Sequence, residues 1–379
     1  MMLNNLSSIG FGLYKGDHSD LGDEKWVESL NFGLQSGINV IDTAQNYRNG
    51  RSDIIIGNVI KTLESQGSFN RKDVFISSKA GLLSENIIKS DSFIKLGLNQ
   101  NQIDYKQKFC MEPKFIDWSV ERALKVMKLN YLDAFLLHNP ELAYLRNNGN
   151  EKILSCLEIL EKKSQEGKIN YYGFASWNGF RRRPESALYL DIVSILDELK
   201  DRIGLNNKFK IIEAPLSIGM PNIIYYHSKD KKKDTLQVIL KKYGLKFFSS
   251  ASLYEGFLNE LFELNKLYSL TFKLDSNNEH TPAKVSFPKS ENSLIQLFEL
   301  LLNLKKNNIE LEATLREFSS DEYNLFNVAL DIVRSTDFVD CALTGMENIK
   351  YAKKNVKLLN CPKLDAKIVK NYWNKFWMI

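Results

Sequence analysis

Ile38-Asn-Val-Ile-Asp42-Thr-Ala-Gln-Asn-Tyr47-Arg-Asn-Gly-Arg-Ser-Asp53-Ile-Ile-Ile-Gly57 reads as a short strand, a polar loop and the opening of a helix. Gly37 closes a preceding helical pattern, and the apolar run Ile38, Val40, Ile41 ends on a carboxylate. A buried parallel strand that delivers Asp42 to its carboxyl end has this form. Tyr47 follows five residues on, as an exposed tyrosine of the loop.

Two further short runs repeat the pattern with different endings. Val74-Phe-Ile-Ser-Ser-Lys79 ends on a lysine, and Leu132-Asp-Ala-Phe-Leu-Leu-His138 ends on a histidine. Each alone reads as a satisfied structural residue. Together, Asp42, Lys79 and His138 at three strand ends, with Tyr47 beside the first, form a set that can share one proton.

With these residues in place the chain resembles an aldo-keto reductase. The resemblance rests on Asp42-Thr43-Ala44 with Tyr47, Ser52 to Gly57, Ser78-Lys79, and Tyr131-Leu132-Asp133 through His138. It continues through Gly167-Lys168-Ile169 with Gly173, Leu253 to Gly256, and the spacing of Gly345 and Asn355, and so spans most of the chain.

The alternation of short strands and longer helices is readable without the resemblance. Strands are expected at Ile9 to Leu13, Ile38 to Asp42, Val74 to Ser78, Leu132 to Leu137, Asn170 to Ala175, Phe209 to Ala214, Leu245 to Ser250 and Val339 to Thr344. Helices are expected between them, the last over Ile349 to Leu359. Regular βα alternation predicts a parallel sheet, and eight strands suit a (β/α)8 barrel rather than a doubly wound sheet. The resemblance implies the same TIM-barrel fold. Such barrels take about 250 residues. We therefore read residues 1–379 as one barrel domain with insertions near 82–113, 177–207 and 257–320, the first two over the catalytic mouth. A leucine-rich helix is expected around Leu294 to Leu304.

Composition narrows the class. The 379 residues are 44% hydrophobic, enough for a sizeable core, and the formal net charge is +5 with both signs mixed along the chain. The Lys229 to Lys233 run lacks interleaved aromatics and reads as a solvated loop, so no nucleic-acid partner is expected. Four cysteines, Cys110, Cys156, Cys341 and Cys361, show no CxxC pairing and read as free thiols of a reducing compartment. No signal peptide and no membrane span is expected, which points to the cytoplasm. His18, His138, His227 and His280 are not at ligand spacing, so no metal is expected.

Carbonyl reduction needs a hydride donor and a proton donor, and a phenol with a pKa near 10 gives its proton reluctantly at neutral pH. A lysine beside it favours the phenolate, and a carboxylate keeps the lysine charged where burial would neutralise it. On this logic Tyr47 is the acid, Lys79 lowers its pKa, Asp42 is the counter-ion and His138 orients the carbonyl. The resemblance implies the same four roles, with a small-molecule carbonyl or alcohol as substrate.

No GxGxxG follows a strand, so a Rossmann domain is not indicated. The resemblance implies instead an extended NAD or NADP over the barrel mouth, held by Ser176, Glu213, Ser250, Ser252, Leu253, Gly256, Gly345, Glu347 and Asn355. Several of these depart from the family pattern. Ala175-Ser176 replaces a Ser-Asn pair, Glu213 stands for a glutamine, Ser250 falls near an aromatic position, and Glu347 stands where a basic residue often meets the 2′-phosphate. An acid there repels that phosphate, which puts NAD slightly ahead of NADP unless Lys350, Lys353 or Lys354 takes over. Two other readings compete with the oxidoreductase. One is a binding or regulatory barrel with a weakened cofactor site, and the other a non-redox isomerase or dehydratase using Tyr47 and Lys79.

Overall fold

The computed structural model describes residues 3–67, 69–226, 234–253 and 325–377. They fall into two compact units. The first comprises Met1–Pro215, Asn222–Ser250 and Phe338–Asn360, and the second Leu216–Pro221, Ala251–Asp337 and Cys361–Ile379.

The first unit is a closed barrel of eight parallel strands hydrogen-bonded in sequence order. They are β1 (Ile9–Gly12), β2 (Val40–Asp42), β3 (Phe75–Ala80), β4 (Leu132–His138), β5 (Ile169–Ala175), β6 (Phe209–Pro215), β7 (Lys246–Ser250) and β8 (Cys341–Thr344). β8 returns to pair with β1, with Ile9 opposite Ala342 and Phe11 opposite Thr344, so no sheet edge is left open. The (β/α)8 expectation holds.

Helices follow the strands, several of them capped by a side chain at the N-terminus. Ser19 accepts from the Gly22 N–H at the start of α1 (Asp20–Gln35). α2 (Arg51–Ser65) opens the stretch after Tyr47. Ser84 and Ser90 cap two single turns, α3 (Glu85–Ile88) and α4 (Asp91–Ile94), in the long connection after β3. Pro113, with no N–H to lose, begins α5 (Pro113–Met127), which ends on Lys128 in the left-handed conformation. α6 (Gly149–Gln165), α7 (Ile192–Ile203, capped by Asp191) and α8 (Leu236–Tyr243, capped by Thr235) complete the crossovers to β7. A last helix, Ile349–Leu359, is capped by Asn348 and packs against α1.

The barrel interior is filled by every second residue of each strand. Val40, Phe75, Ala134, Leu136, Ala175, Ile211, Phe248, Cys341 and Leu343 form one buried cluster, and Leu3, Leu6 and Tyr171 pack against it. Side chains alternate along a strand. The next inward positions towards the carboxyl ends are therefore Asp42 after Val40, Lys79 after Ser77, His138 after Leu136, Glu213 after Ile211 and Ser250 after Phe248. The strand period thus sets a polar layer directly above an apolar plug.

At the other end of β4, Asp133 is buried against Arg71 at 2.7 Å and accepts from the Ile76 N–H at 3.0 Å. This part of the resembled motif ties β3 to β4. Of the second unit, the helices Leu325–Arg334 and Ala366–Trp377 are described. Within it, the Trp373 indole donates to Thr336 at 3.1 Å and Arg334 donates to the carbonyls of Cys361 and Pro362. Residues 257–320, with the Leu294 to Leu304 helix, and the Lys229 to Lys233 run lie outside the described residues.

Candidate active site

The proton site begins where β2 ends. Asp42 accepts from the Lys79 ammonium through one oxygen and from the Ser77 hydroxyl at 2.6 Å through the other. Lys79 lies wholly buried on β3, and its Nζ also donates to the Thr43 carbonyl at 3.1 Å and to the Tyr47 hydroxyl at 3.3 Å. Tyr47 sits in a single 3-10 turn, Tyr47–Gly50, whose Arg48 and Asn49 take left-handed backbone angles. This tight reversal returns the phenol over the strand ends. The ring lies 5.9 Å from that of His138, edge to face. Gly81, with a φ of +148°, closes the other side: a side chain there would meet the His138 carbonyl at 2.2 Å.

All four expected residues therefore converge at one end of the barrel, but two expectations are corrected. Tyr47 is not exposed. It is 8% accessible, covered by the half-exposed Tyr14 ring at 5.1 Å and by His138. Its pKa is not lowered overall. Burial, the largest influence, pushes the phenol up, and Asp42 and Glu213 add to this while Lys79 pulls the other way. Lys79 does what its chemistry requires, but here burial and the acidic neighbours outweigh it.

Lys79 itself feels burial most strongly, which disfavours its charge, yet Asp42 and Glu213 reverse the balance and hold it protonated. Burial and the Lys79 charge lower His138 well below the usual histidine range. The imidazole is neutral at pH 7, with one N–H to give, and its Nδ1 has no hydrogen-bond partner among the described residues.

The residues expected at the cofactor fare unevenly. Glu213 stands in the inward layer, its buried Oε2 3.4 Å from Lys79 Nζ. Ser250 ends β7 half-buried. Ser176 is already committed: its hydroxyl donates to Glu141 at 2.9 Å and accepts from the Gly179 N–H at 2.8 Å. Gly345 has open space around it, and Asn355 is buried on the last helix. Glu347 turns back onto the first βα loop. A side chain at Gly16 would meet its Oε2 at 2.8 Å, the Trp26 Nε1 at 2.6 Å and the Arg48 Nε at 3.5 Å. Ser252 and Leu253 belong to the second unit, and Gly256 lies outside the described residues.

Three supporting residues went unread in the sequence. Ser77 shares Lys79's face of β3, a relation that strand alternation makes visible once Lys79 is chosen. Glu141, fully buried, accepts from Ser176 and from the Asn178 N–H at 2.8 Å, and Asn139 accepts from the Trp177 N–H at 2.9 Å. Together they brace the turn after β5. Nothing in His-Asn-Pro-Glu announces that long-range pairing.

The family model for the aldo/keto reductase family matches residues 8–373. The chain belongs to this family. Among curated proteins it is similar to the NADH-specific methylglyoxal reductase of Escherichia coli (strain K12), 27% identical over 204 residues, 52% of this chain and 57% of that protein. It is also similar to an uncharacterised oxidoreductase of Bacillus subtilis (strain 168), 26% identical over 176 residues, 45% of each chain. The matched region thus spans about half the length of these curated relatives. Among solved structures, an aldo-keto reductase from Bacillus halodurans in its holo form superposes with a TM-score of 0.57 at 18% identity, covering 98% of this chain and 92% of that one. The fold of this aldo/keto reductase family member is the one its strand pattern predicts.

Proposed function

We propose that the chain is an NAD(P)-dependent oxidoreductase that interconverts an aldehyde or ketone and an alcohol, with Tyr47 as general acid. The observation that carries this is the contact of a buried lysine with both a carboxylate and a tyrosine hydroxyl at the barrel mouth. Four buried polar groups at one strand-end layer impose a desolvation cost that an inert barrel has no reason to keep.

The site suits a dinucleotide with an amide-bearing ring. The buried carboxyl of Glu213 and the half-buried Ser250 stand on neighbouring strands and would offer polar partners to a nicotinamide carboxamide. A reduced dinucleotide held there would supply the hydride. Tyr47 gives its proton to the carbonyl oxygen as charge develops, Lys79 stabilises the phenolate left behind, and Asp42 keeps Lys79 charged. Neutral His138 donates to the same oxygen and fixes its direction.

The likeness to an NADH-specific reductase supports NAD as a substrate of the cofactor site. The carboxylate of Glu347 points the same way, since it disfavours a 2′-phosphate. Replacing Tyr47 by Phe removes one hydroxyl and should lower carbonyl reduction by about 10² to 10⁴. Nicotinamide fluorescence titration should show dinucleotide binding nearly unchanged. Full turnover by Tyr47→Phe would exclude Tyr47 as the acid.

A further inference from the structure

Lys79 has two acidic neighbours, Asp42 and Glu213. Asp42 takes a direct hydrogen bond from Nζ, whereas Glu213 meets the same Nζ more loosely, through its buried Oε2 at 3.4 Å. Glu213 is 4% exposed. Its backbone is fixed from both sides: Ala175 and Phe248 face it in register, and its carbonyl accepts from the Ser176 N–H at 2.9 Å. Among the described residues, the titratable groups that face it are Lys79 on β3, Asp42 on β2 and the Tyr47 phenol. Its strand neighbours bring none.

We infer that Glu213 is a second proton-holding group of this site, a positioning residue that acts through Lys79. When it is neutral, Lys79 and Asp42 form a balanced pair and the Lys79 charge is directed to Tyr47. When it is ionised, one ammonium is shared between two carboxylates and a negative charge stands near the phenolate that the reduction must form. Burial, reinforced by Asp42 and opposed by Lys79, pushes the Glu213 carboxyl up to about 8. The neutral form is therefore favoured at neutral pH, and the ionised form emerges as pH rises into the alkaline range. A buried carboxyl that shares one ammonium with a second carboxyl has reason to keep its proton.

This rests on Tyr47 being the general acid, so the experiment separates the two ideas. Initial kcat for carbonyl reduction is measured across neutral to alkaline pH in the wild type and in Glu213→Gln, a neutral isostere, with Tyr47→Phe as the reference. The wild-type rate should fall about tenfold or more as Glu213 ionises. In Glu213→Gln that fall should vanish or move up by at least about one pH unit. Infrared difference spectra of the same proteins should show a protonated-carboxyl band that is lost over the same range in the wild type and is absent from Glu213→Gln. A flat wild-type profile overturns the inference even if the variant fails to fold. So does an alkaline fall that Glu213→Gln leaves in place while Tyr47→Phe is inactive. An active Tyr47→Phe would instead remove the reading on which it rests.

Discussion

Glu347 shows how much one carboxylate can decide. At the start of the last βα connection it faces Gly16, the Trp26 indole nitrogen and the Arg48 side chain on the first loop. Arg48 is itself buried and ion-paired to Asp23 at 2.6 Å, with a further bond to the Asp17 carbonyl at 3.0 Å. Its charge is therefore largely used. A 2′-phosphate brings nearly two negative charges, and a carboxylate within about 4 Å disfavours it by on the order of 1 kcal/mol or more at surface dielectric. Glu347→Gln removes that charge without setting a new cation beside Arg48, which an arginine would do. The expected result is a several-fold rise in NADP affinity relative to NAD, read by fluorescence titration of both proteins with both dinucleotides. An unchanged ratio would mean that Glu347 does not face the ribose.

The helix that follows the Tyr47 turn contains a buried carboxyl of its own. Asp53, in the first turn of α2, is fully buried; Thr43 donates to it at 3.0 Å and Arg122 on α5 lies 3.9 Å away. Burial pushes its carboxyl up to about 6, against the pull of Arg122 and the Thr43 bond. A carboxyl whose folded pKa lies above its unfolded value stabilises the fold below the unfolded pKa, and that contribution fades as pH rises through the folded pKa. From about pH 4 to pH 7 the wild type should therefore lose on the order of 3 kcal/mol relative to Asp53→Asn, which keeps an acceptor for Thr43. Urea unfolding of both proteins across this range measures the difference, and a constant gap would show that Asp53 does not titrate there. The sequence marked this segment as the opening of a helix but not as a charged junction, because Arg122 lies 69 positions away in chain number and nothing local pairs the two. The tetrad was legible for the opposite reason. Asp42, Lys79 and His138 each close an apolar run, so strand periodicity alone aims them at one mouth. Exposure was misjudged at Tyr47 because polar neighbours in sequence say nothing of the Tyr14 and His138 rings that cover it.

At the scale of the whole barrel, closure depends on how β1 fits between β2 and β8. The first strand was readable as Ile-Gly-Phe-Gly, but the reason for its glycines lies in the interior they face. A Cβ on Gly10 would meet Cys341 Sγ at 2.8 Å and Leu343 Cδ2 and Val40 Cβ at 3.0 Å, atoms of the apolar plug held by two neighbouring strands. Two residues on, a Cβ on Gly12 would meet nothing nearer than 3.8 Å, an ordinary contact. The same strand thus carries one glycine required by packing and one that is not. Gly10→Ala should cost about 1 to 3 kcal/mol through overpacking, because dense interiors relax little. Gly12→Ala should be neutral or stabilising by about 0.4 to 1 kcal/mol, since the alanine restricts the unfolded chain without meeting a neighbour. Chemical denaturation of the two variants beside the wild type decides between this account and a general intolerance of side chains on β1. Equal losses at both positions would point to the strand backbone, whereas a loss confined to Gly10 places the constraint in the seam where β8 closes on β1.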